Sequence, residues 1–293
     1  MATNRNMWTE KGTWLKGNIH THTTNSDGKC TPEEIALEYG RNNYDFVFLT
    51  DHEKLTTPHK KIPKPLIIPA EEIAFSFKGC GYHFVCLGLK KEWKSESFHS
   101  PMQLLGRARR EGVFIVLAHP YWCGTPSHKC VYPGGLACPG VEIYNNVSDR
   151  MNGKGYSSVH WDDLLDAGHR IVGFAVDDTH NTSNIASGWI VVKAKARTPD
   201  AILAAIRKGH FYSSQGPEIK SIVIRGREIK TACSPVMRIN FITNGWEGRS
   251  IFAAVEGLTE AVWTVPQGKR YVRIEFVSAS GKIAWSNPIF FPR

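Results

Sequence analysis

Short apolar runs alternate with polar, capped segments along the first two thirds of this chain. The runs Leu15–His20, Asp45–Thr50, Leu66–Pro69, His83–Leu89, Val113–His119, Val141–Asn145, Ile171–Val176 and Gly188–Val192 have the length and apolar character of strands. Helices fall between several of them. Thr31-Pro32-Glu33-Glu34 has the form of a capping box with proline in the first turn, opening a helix that buries Ile35, Ala36 and Tyr39. Ser100-Pro101-Met102-Gln103 repeats that form ahead of Leu104, Leu105 and Ala108. A third helix, Pro199–Lys208, places Ile202, Ala205 and Ile206 on one face and stops at Gly209. Alternating strands and helices predict an α/β fold with a parallel sheet, and this many strands in this order predict a barrel rather than an open sheet. No dinucleotide fingerprint or P-loop is present to favour an open nucleotide-binding sheet. Reactive residues of such barrels sit at the carboxyl ends of the strands.

After about Gln215 the pattern changes. Ser221–Ile224, Val236–Thr243, Ser250–Val255, Ala261–Val265 and Tyr271–Ser278 read as strands, separated by the turn signals Asn244-Gly245, Gln267-Gly268 and Ser280-Gly281. Residues 1–215 are therefore expected to form the α/β barrel, and 216–293 a small all-β, sandwich-like domain.

Composition narrows this little. The chain has 293 residues, 42% hydrophobic and 22% charged, as in an ordinary soluble protein. It lacks an apolar run of about 18 residues, so no membrane span is expected. Its first residues are polar and lack the apolar core of a signal peptide, so a cytoplasmic location is expected. The formal charge of +9 suits an anionic small-molecule substrate. The basic residues are scattered and no nucleic-acid fold motif accompanies them, which argues against a nucleic-acid polymer as partner. Exposed edge strands in the β domain make a homo-oligomer an expectation. Seven cysteines without a regular framework read as free thiols. Cys123, Cys130 and Cys138 crowd one loop with His128, in spacings unlike a common zinc finger.

The chemistry lies where the apolar runs end. His20 and His22 follow the first run, two residues apart, so on extended backbone they share a side. Asp27 comes next in a turn closed by Gly28, and Asp51-His52 end the second run. Glu71-Glu72 follow Leu66–Pro69, His83 begins the next run, His119 ends Val113–Ala118, Glu142 lies in Val141–Asn145, and Asp178 and His180 follow Ile171–Val176. A lone histidine at a strand end is usually structural. This many titratable groups converging without a cation would carry a heavy desolvation cost, and a metal cluster supplies the opposing charge. Nitrogen and oxygen donors of this kind suit zinc, manganese or iron.

The motifs His20-Thr-His22, Ser26-Asp27-Gly28, Thr50-Asp51-His52, Pro69-Ala-Glu-Glu72-Ile73, His83, Ala118-His119-Pro120, Glu142-Ile-Tyr-Asn145 and Asp178-Thr-His180 resemble those of the PHP (polymerase and histidinol phosphatase) superfamily of metal-dependent phosphoesterases. The segment Ala204–Pro217, followed by a β domain, is more narrowly similar to the CehA/McbA-like branch, some of whose members hydrolyse carbamates. The resemblance implies a distorted (β/α)7 TIM-like barrel holding two or three divalent ions. It implies His20, His22, Glu72 and Asp178 on the first ion, Glu72, His83 and His119 on the second, and Asp27, His52 and His180 on the third. The usual glycine before the metal-binding glutamate is Ala70 here, followed by Glu71, so Glu71 and Glu72 both stand as candidates for the bridge, with Pro-x-x-Glu-Ile favouring Glu72.

The activity implied is hydrolysis of a small phosphate ester, including a nucleotide, with a metal-bridging hydroxide as nucleophile. Glu72 bridges, a metal-bound water or a nearby histidine, with His180 the catalytic candidate, protonates the leaving group, and Asp51 orients His52 or another ligand. The alternative is a carboxyl-derived ester, amide or carbamate attacked by the same hydroxide. Arg150, Lys154 and His128 are the candidates for gripping the anion, and Trp122 for stacking on a base or an aromatic leaving group.

Overall fold

Period-two alternation along the apolar runs decides which side of the sheet each side chain covers. In Phe46–Leu49, Phe46 and Phe48 enter one core with Leu15, Ile68, Val85, Val116 and Phe174, while Val47 and Leu49 pack against Ile35 and Tyr39 of a helix. In Phe114–Leu117, Phe114 and Val116 join that same inner core and Ile115 and Leu117 an outer one. Strands buried on both faces read as continuous apolar runs, and each such side chain contributes about 1.5–3 kcal/mol on burial. The computed structural model describes residues 7–132, 136–253 and 257–292.

Thr13–Asn18 pairs in parallel with Phe46–Leu49, and that strand in parallel with Leu66–Phe77. Leu66–Phe77 then turns back, antiparallel, as Cys80–Leu87, which pairs antiparallel with Phe114–Leu117. Gly140–Asn145 and Val172–Val176 follow in parallel. A parallel bridge between Thr21 and Thr179 returns the last of these to the first. On the other edge of Thr13–Asn18 lie two antiparallel strands, Trp189–Ala194 and Phe211–Ser214. Phe211–Ser214 pairs in turn with Ile283–Ser286, and the sheet continues through Tyr271–Val277 and Arg238–Thr243 to Gly248–Phe252. The whole is a mixed sheet of 14 strands. A three-stranded antiparallel sheet, Ile219–Arg225, Glu228–Val236 and Leu258–Thr264, packs on its C-terminal part through Ile222, Ile229, Phe241 and Ile274.

The expected parallel sheet is thus a mixed one. Only Lys78 and Gly79 join Leu66–Phe77 to Cys80–Leu87, both with positive φ (48° and 75°). Two such residues make a tight hairpin, whereas a parallel crossover needs a dozen or more. The predicted strand Leu66–Pro69 therefore runs on through Glu71 and Glu72. The three predicted helices are Pro32–Arg41, Pro101–Glu111 and Pro199–Arg207, each capped by the side chain of the residue before it: Thr31, Ser100 and Thr198. Two further helices, Asn146–Asn152 and Ser158–Asp166, occupy the stretch between Asn145 and Ile171. The predicted strand Ser250–Val255 corresponds to Gly248–Phe252, and its residues 254 and 255 lie outside the described residues. No helix among the described residues is long and apolar enough to cross a membrane.

Candidate metal centre

Nine side chains, from His20, His22, Asp27, His52, Glu72, His83, His119, Asp178 and His180, converge where the strands of the inner core end. They form overlapping trios whose donor atoms lie within 4.8 Å of one another. Glu72 is the hub. Its Oε2 is 3.1 Å from Nε2 of both His20 and His22 and 3.5 Å from His52 Nε2. Its Oε1 is 2.7 Å from His83 Nδ1 and 3.5 Å from His119 Nε2. Asp178 Oδ1 lies 3.3 and 3.4 Å from the same two Nε2 atoms of His20 and His22. Asp27, at the open side, is 3.3 Å from His180 Nε2, 3.4 Å from His22 Nδ1 and 3.8 Å from His52 Nε2. The trio Glu72, His83, His119 is the second set that the sequence resemblance implied. Asp27, His52 and His180 do not form a trio of their own: Asp27 and His52 group with His22, and His180 groups with His22 and Asp178.

Alternation within Leu66–Phe77 separates the two glutamates. Glu72 faces the donors and Glu71 the opposite side, where its Oε2 accepts the Trp93 N–H at 3.0 Å and its Oε1, buried, has no hydrogen-bond partner. Other groups fix the donors in place. Glu142 accepts from His20 Nδ1 at 2.6 Å and, through its second oxygen, from the His119 N–H and from Asn145 Nδ2, both at 2.9 Å. Asn145 also donates to Asp178 Oδ2 at 3.1 Å. The bond to Glu142 holds the proton of His20 on Nδ1 and turns the Nε2 lone pair towards Glu72 and Asp178. His119 Nδ1 meets the Cys123 thiol at 3.3 Å. Asp177 is turned away from the donors and receives Asn18, Tyr39, Tyr44 and the N–H groups of Ala186, Ser187 and Gly188. Asp178 and His119 carry positive φ (54° and 26°), which non-glycine residues adopt at a cost and which is concentrated at functional sites.

Asp51 stands outside the donor trios and reaches two donors through Ser26, whose Oγ meets His22 Nδ1 at 3.3 Å and Asp27 Oδ1 at 3.2 Å. Its carboxylate is filled by the Thr23 N–H, Thr23 Oγ1 and Ser26 Oγ, each at 2.7 Å. It acts as the clasp of the loop that carries Asp27. His180 is likewise limited, because its Nδ1 is engaged by the Asp178 carbonyl at 2.8 Å. Only Nε2 is available, facing Asp27, and one lone pair holds a cation or a proton, not both.

Burial and charge act against each other across the cluster. Burial opposes the charged form of His22, but the carboxylates of Asp178 and Glu72 beside it overcome that and push it up to about 9. His20 is raised well above its ordinary value by Asp178, Glu142 and Glu72, against burial. Burial would raise Glu72, yet His20 and His83 hold it well below the usual carboxylate range, and Asp178 is lowered in the same way by His20, His22 and His119. His52 moves down, because burial outweighs Glu72 there. Without a cation the carboxylates draw protons onto the imidazoles, so a metal and those protons compete for the same lone pairs.

Seven of the donors, all but the buried His20 and His22, line a cavity of about 550 Å³. Lys29, Trp122, Val147, Ser148, Arg150, Met151, Asn181 and Asn184 line the rest. Of the predicted anion-binding residues only Arg150 is at the cavity, with its guanidinium donating to the Ser183 carbonyl at 2.8 Å. Lys154 instead lies over the Tyr121 ring at 5.5 Å, and His128 sits in the short helical turn Ser127–Lys129; neither lines the cavity. Lys29, which sequence reasoning missed, does line it. Its signal was its place two residues after Asp27. The crowd of Cys123, Cys130, Cys138 and His128 is not a metal trio, and all seven cysteines are free.

No protein-family model and no curated protein matches the chain. Among solved structures, a two-domain protein from Bacteroides vulgatus containing a predicted PHP-like metal-dependent phosphoesterase aligns over 95% of this chain and 96% of its own, with a TM-score of 0.53 and 16% identity. PsfC from Pseudomonas syringae aligns over 63% of this chain and 84% of its own (TM-score 0.45, 10% identity). The lesion-specific endonuclease EndoQ of Pyrococcus furiosus aligns over 68% and 56% (TM-score 0.40, 11% identity). At such identities the first likeness speaks to fold alone: this mixed α/β chain has a PHP-like fold over nearly its whole length.

Proposed function

We propose that this protein is a metal-dependent phosphoesterase acting on a small phosphate monoester. In this reading the strands returned by the Thr21–Thr179 bridge are the distorted (β/α)7 barrel of the PHP type. The observation that carries the proposal is the convergence of nine His, Asp and Glu donors, seven of which line one cavity that also presents Lys29 and Arg150. The donors fit divalent ions. Asp178 Oδ1 is buried without a hydrogen-bond partner, and Glu72 is surrounded by five imidazoles. His20, His22, Glu72 and Asp178 would hold one ion, Glu72, His83 and His119 a second, and Asp27, His52 and His180 a third. Zinc, manganese or iron bound there supplies Lewis acidity and lowers the pKa of water.

The chain's own groups do the rest. Lys29 and Arg150 offset the charge of the phosphoryl oxygens, which is what most of phosphoryl-transfer catalysis requires. Glu142 and Asn145 keep His20 and Asp178 in their orientations. When the Asp27 side carries no cation, His180 Nε2 holds a proton for the leaving oxygen; when it does, that proton comes from solvent.

The finer placement in the CehA/McbA-like branch rests on Ala204–Pro217 leading into the β sandwich, and it brings the second reading, hydrolysis of a carbamate or related ester. The two cations at the cavity favour the phosphate. Paired assays with p-nitrophenyl phosphate and a naphthyl carbamate, under manganese, zinc and iron, decide between them. Phosphate release that disappears in His20→Ala and Asp178→Ala is the expected result. Carbamate turnover with no phosphatase activity under any metal would replace this reading with the second.

A further inference from the structure

Beside the polar donors, the cavity has an apolar wall. Val147 and Met151 stand four residues apart on Asn146–Asn152, a spacing that puts them on one face, and Trp122 joins them from the turn after His119. Trp122 meets His119 and His83 edge-on, at 5.1 and 6.0 Å between ring centroids, so it packs beside the donors without covering them. Met151 is 64% exposed and contributes little to folding. A large apolar side chain in water at the mouth of a donor-lined cavity is what a binding wall looks like before it is covered, and methionine adapts well to an aromatic ring.

On the remaining wall, the side-chain oxygens of two asparagines are already engaged. Asn184 Oδ1 accepts the N–H groups of His180 and Asn181, and Asn181 Oδ1 accepts the Ser183 N–H. Those two oxygens are thereby taken from the hydroxyls of a sugar. A phosphate group by itself would also leave most of the 550 Å³ unfilled.

We propose that this wall is a leaving-group subsite and that the substrate is the phosphate monoester of an alcohol carrying an aromatic ring. The proposal rests on the phosphoesterase reading above. The phosphoryl group lies at the donors between Lys29 and Arg150, and the ring lies between Trp122 and Met151. In the reaction the bond from phosphorus to the leaving oxygen breaks, one from phosphorus to a water oxygen forms, and a proton from that water ends on the leaving oxygen. The products are the free alcohol and inorganic phosphate.

The test uses the full chain loaded with manganese and two non-hydrolysable probes, benzylphosphonate and methylphosphonate, with binding followed by calorimetry. Benzylphosphonate is expected to bind at least about tenfold more tightly, the order that apolar pocket contacts contribute. That margin shrinks several-fold in Trp122→Ala and in Met151→Ser, while methylphosphonate affinity stays the same. The exposed position of Met151 keeps the second variant folded. Hydrolysis of benzyl and ethyl phosphate, whose alcohols have similar acidity, is expected to show the same preference and its loss. Equal affinity for the two phosphonates, or a margin that both variants leave intact, overturns the subsite while the phosphoesterase reading stands. Failure of the protein to bind either phosphonate overturns both.

Discussion

At the scale of single residues, each donor depends on a neighbour that is not itself a donor. His20 is held by Glu142 at 2.6 Å, and outer partners of this kind typically account for 10–100-fold in metal affinity. Glu142→Gln keeps an acceptor without the charge, so metal titration of the folded protein should show a loss near the lower end, about tenfold, and Glu142→Ala a larger one. An unchanged affinity would mean that packing alone orients His20. Glu71 has the opposite balance. Burial pushes it up to about 7 from an ordinary value of 4.5. Because the folded value is the higher one, the neutral form is favoured in the fold. Below pH 4.5 both states are neutral and nothing is lost; between 4.5 and 7 the unfolded chain ionises first and stability falls; above 7 the penalty is constant. Glu71→Gln removes it but puts an amide beside the unpartnered Oε1 position. A net gain of about 1 kcal/mol at pH 8, absent at pH 4, is expected from urea unfolding. Equal midpoints at pH 8 would refute the assignment of that burial cost to Glu71.

At the scale of elements, what could be read in advance was whatever local pattern controls. Strands buried on both faces leave unbroken apolar runs, so their ends, and the histidines and carboxylates placed there, were visible. The caps at Thr31, Ser100 and Thr198 were visible for the same reason. The hairpin after Leu66 was not, because Glu71-Glu72 interrupt the apolar run in the middle of a strand, and those charges belong to the site and to the packing beneath it. Glu228–Val236 was hidden by Lys230, Thr231, Ser234 and Pro235, and Asn146–Asn152 is too short and polar to show helical periodicity. Which side Asp51 faces depends on the loop His20–Gly28, a tertiary matter. That loop invites a direct test. A Cβ on Gly28 would come within 2.6 Å of the His22 carbonyl carbon and oxygen and 2.7 Å of the Thr23 nitrogen, all backbone. Gly28→Ala must therefore displace the turn and Asp27 with it. Elemental analysis should find one ion fewer per chain than in the parent, with the unfolding midpoint nearly unchanged, since the turn lies at the surface. An unchanged ion count would separate Asp27 from metal binding.

At the scale of the whole molecule, the change of pattern after residue 215 is not a break in the sheet. Phe211–Ser214 pairs with Ile283–Ser286, about seventy positions away in sequence, and no local periodicity announces such a pairing. A second tie lies on the helix side. Arg273, on the C-terminal strand Tyr271–Val277, is buried and donates through Nε and Nη2 to Asp162 of Ser158–Asp166, both at 2.6 Å, and through Nη1 to Glu275 at 2.6 Å. Its guanidinium lies 5.0 Å from the Trp161 ring, and Tyr271 OH donates to Asp166 at 2.9 Å. The same helix buries Trp161 in the core that holds Ile143, on the strand that presents Glu142 and Asn145 to the donors. Removing one member of a buried ion pair costs about 3–5 kcal/mol, because its partners stay charged and buried. Asp162 is partly exposed, so about 2–3 kcal/mol is expected for Arg273→Met. Sheet continuity and this ion pair together predict that the loss appears as one unfolding transition shifted to lower urea, by fluorescence and circular dichroism alike. Replacing Asp162 as well, in Arg273→Met/Asp162→Leu, should restore part of the loss, because the uncompensated charge goes with it. A variant whose two probes separate into distinct transitions would show instead that the C-terminal strands and the donor-bearing strands are stabilised independently, each by its own core.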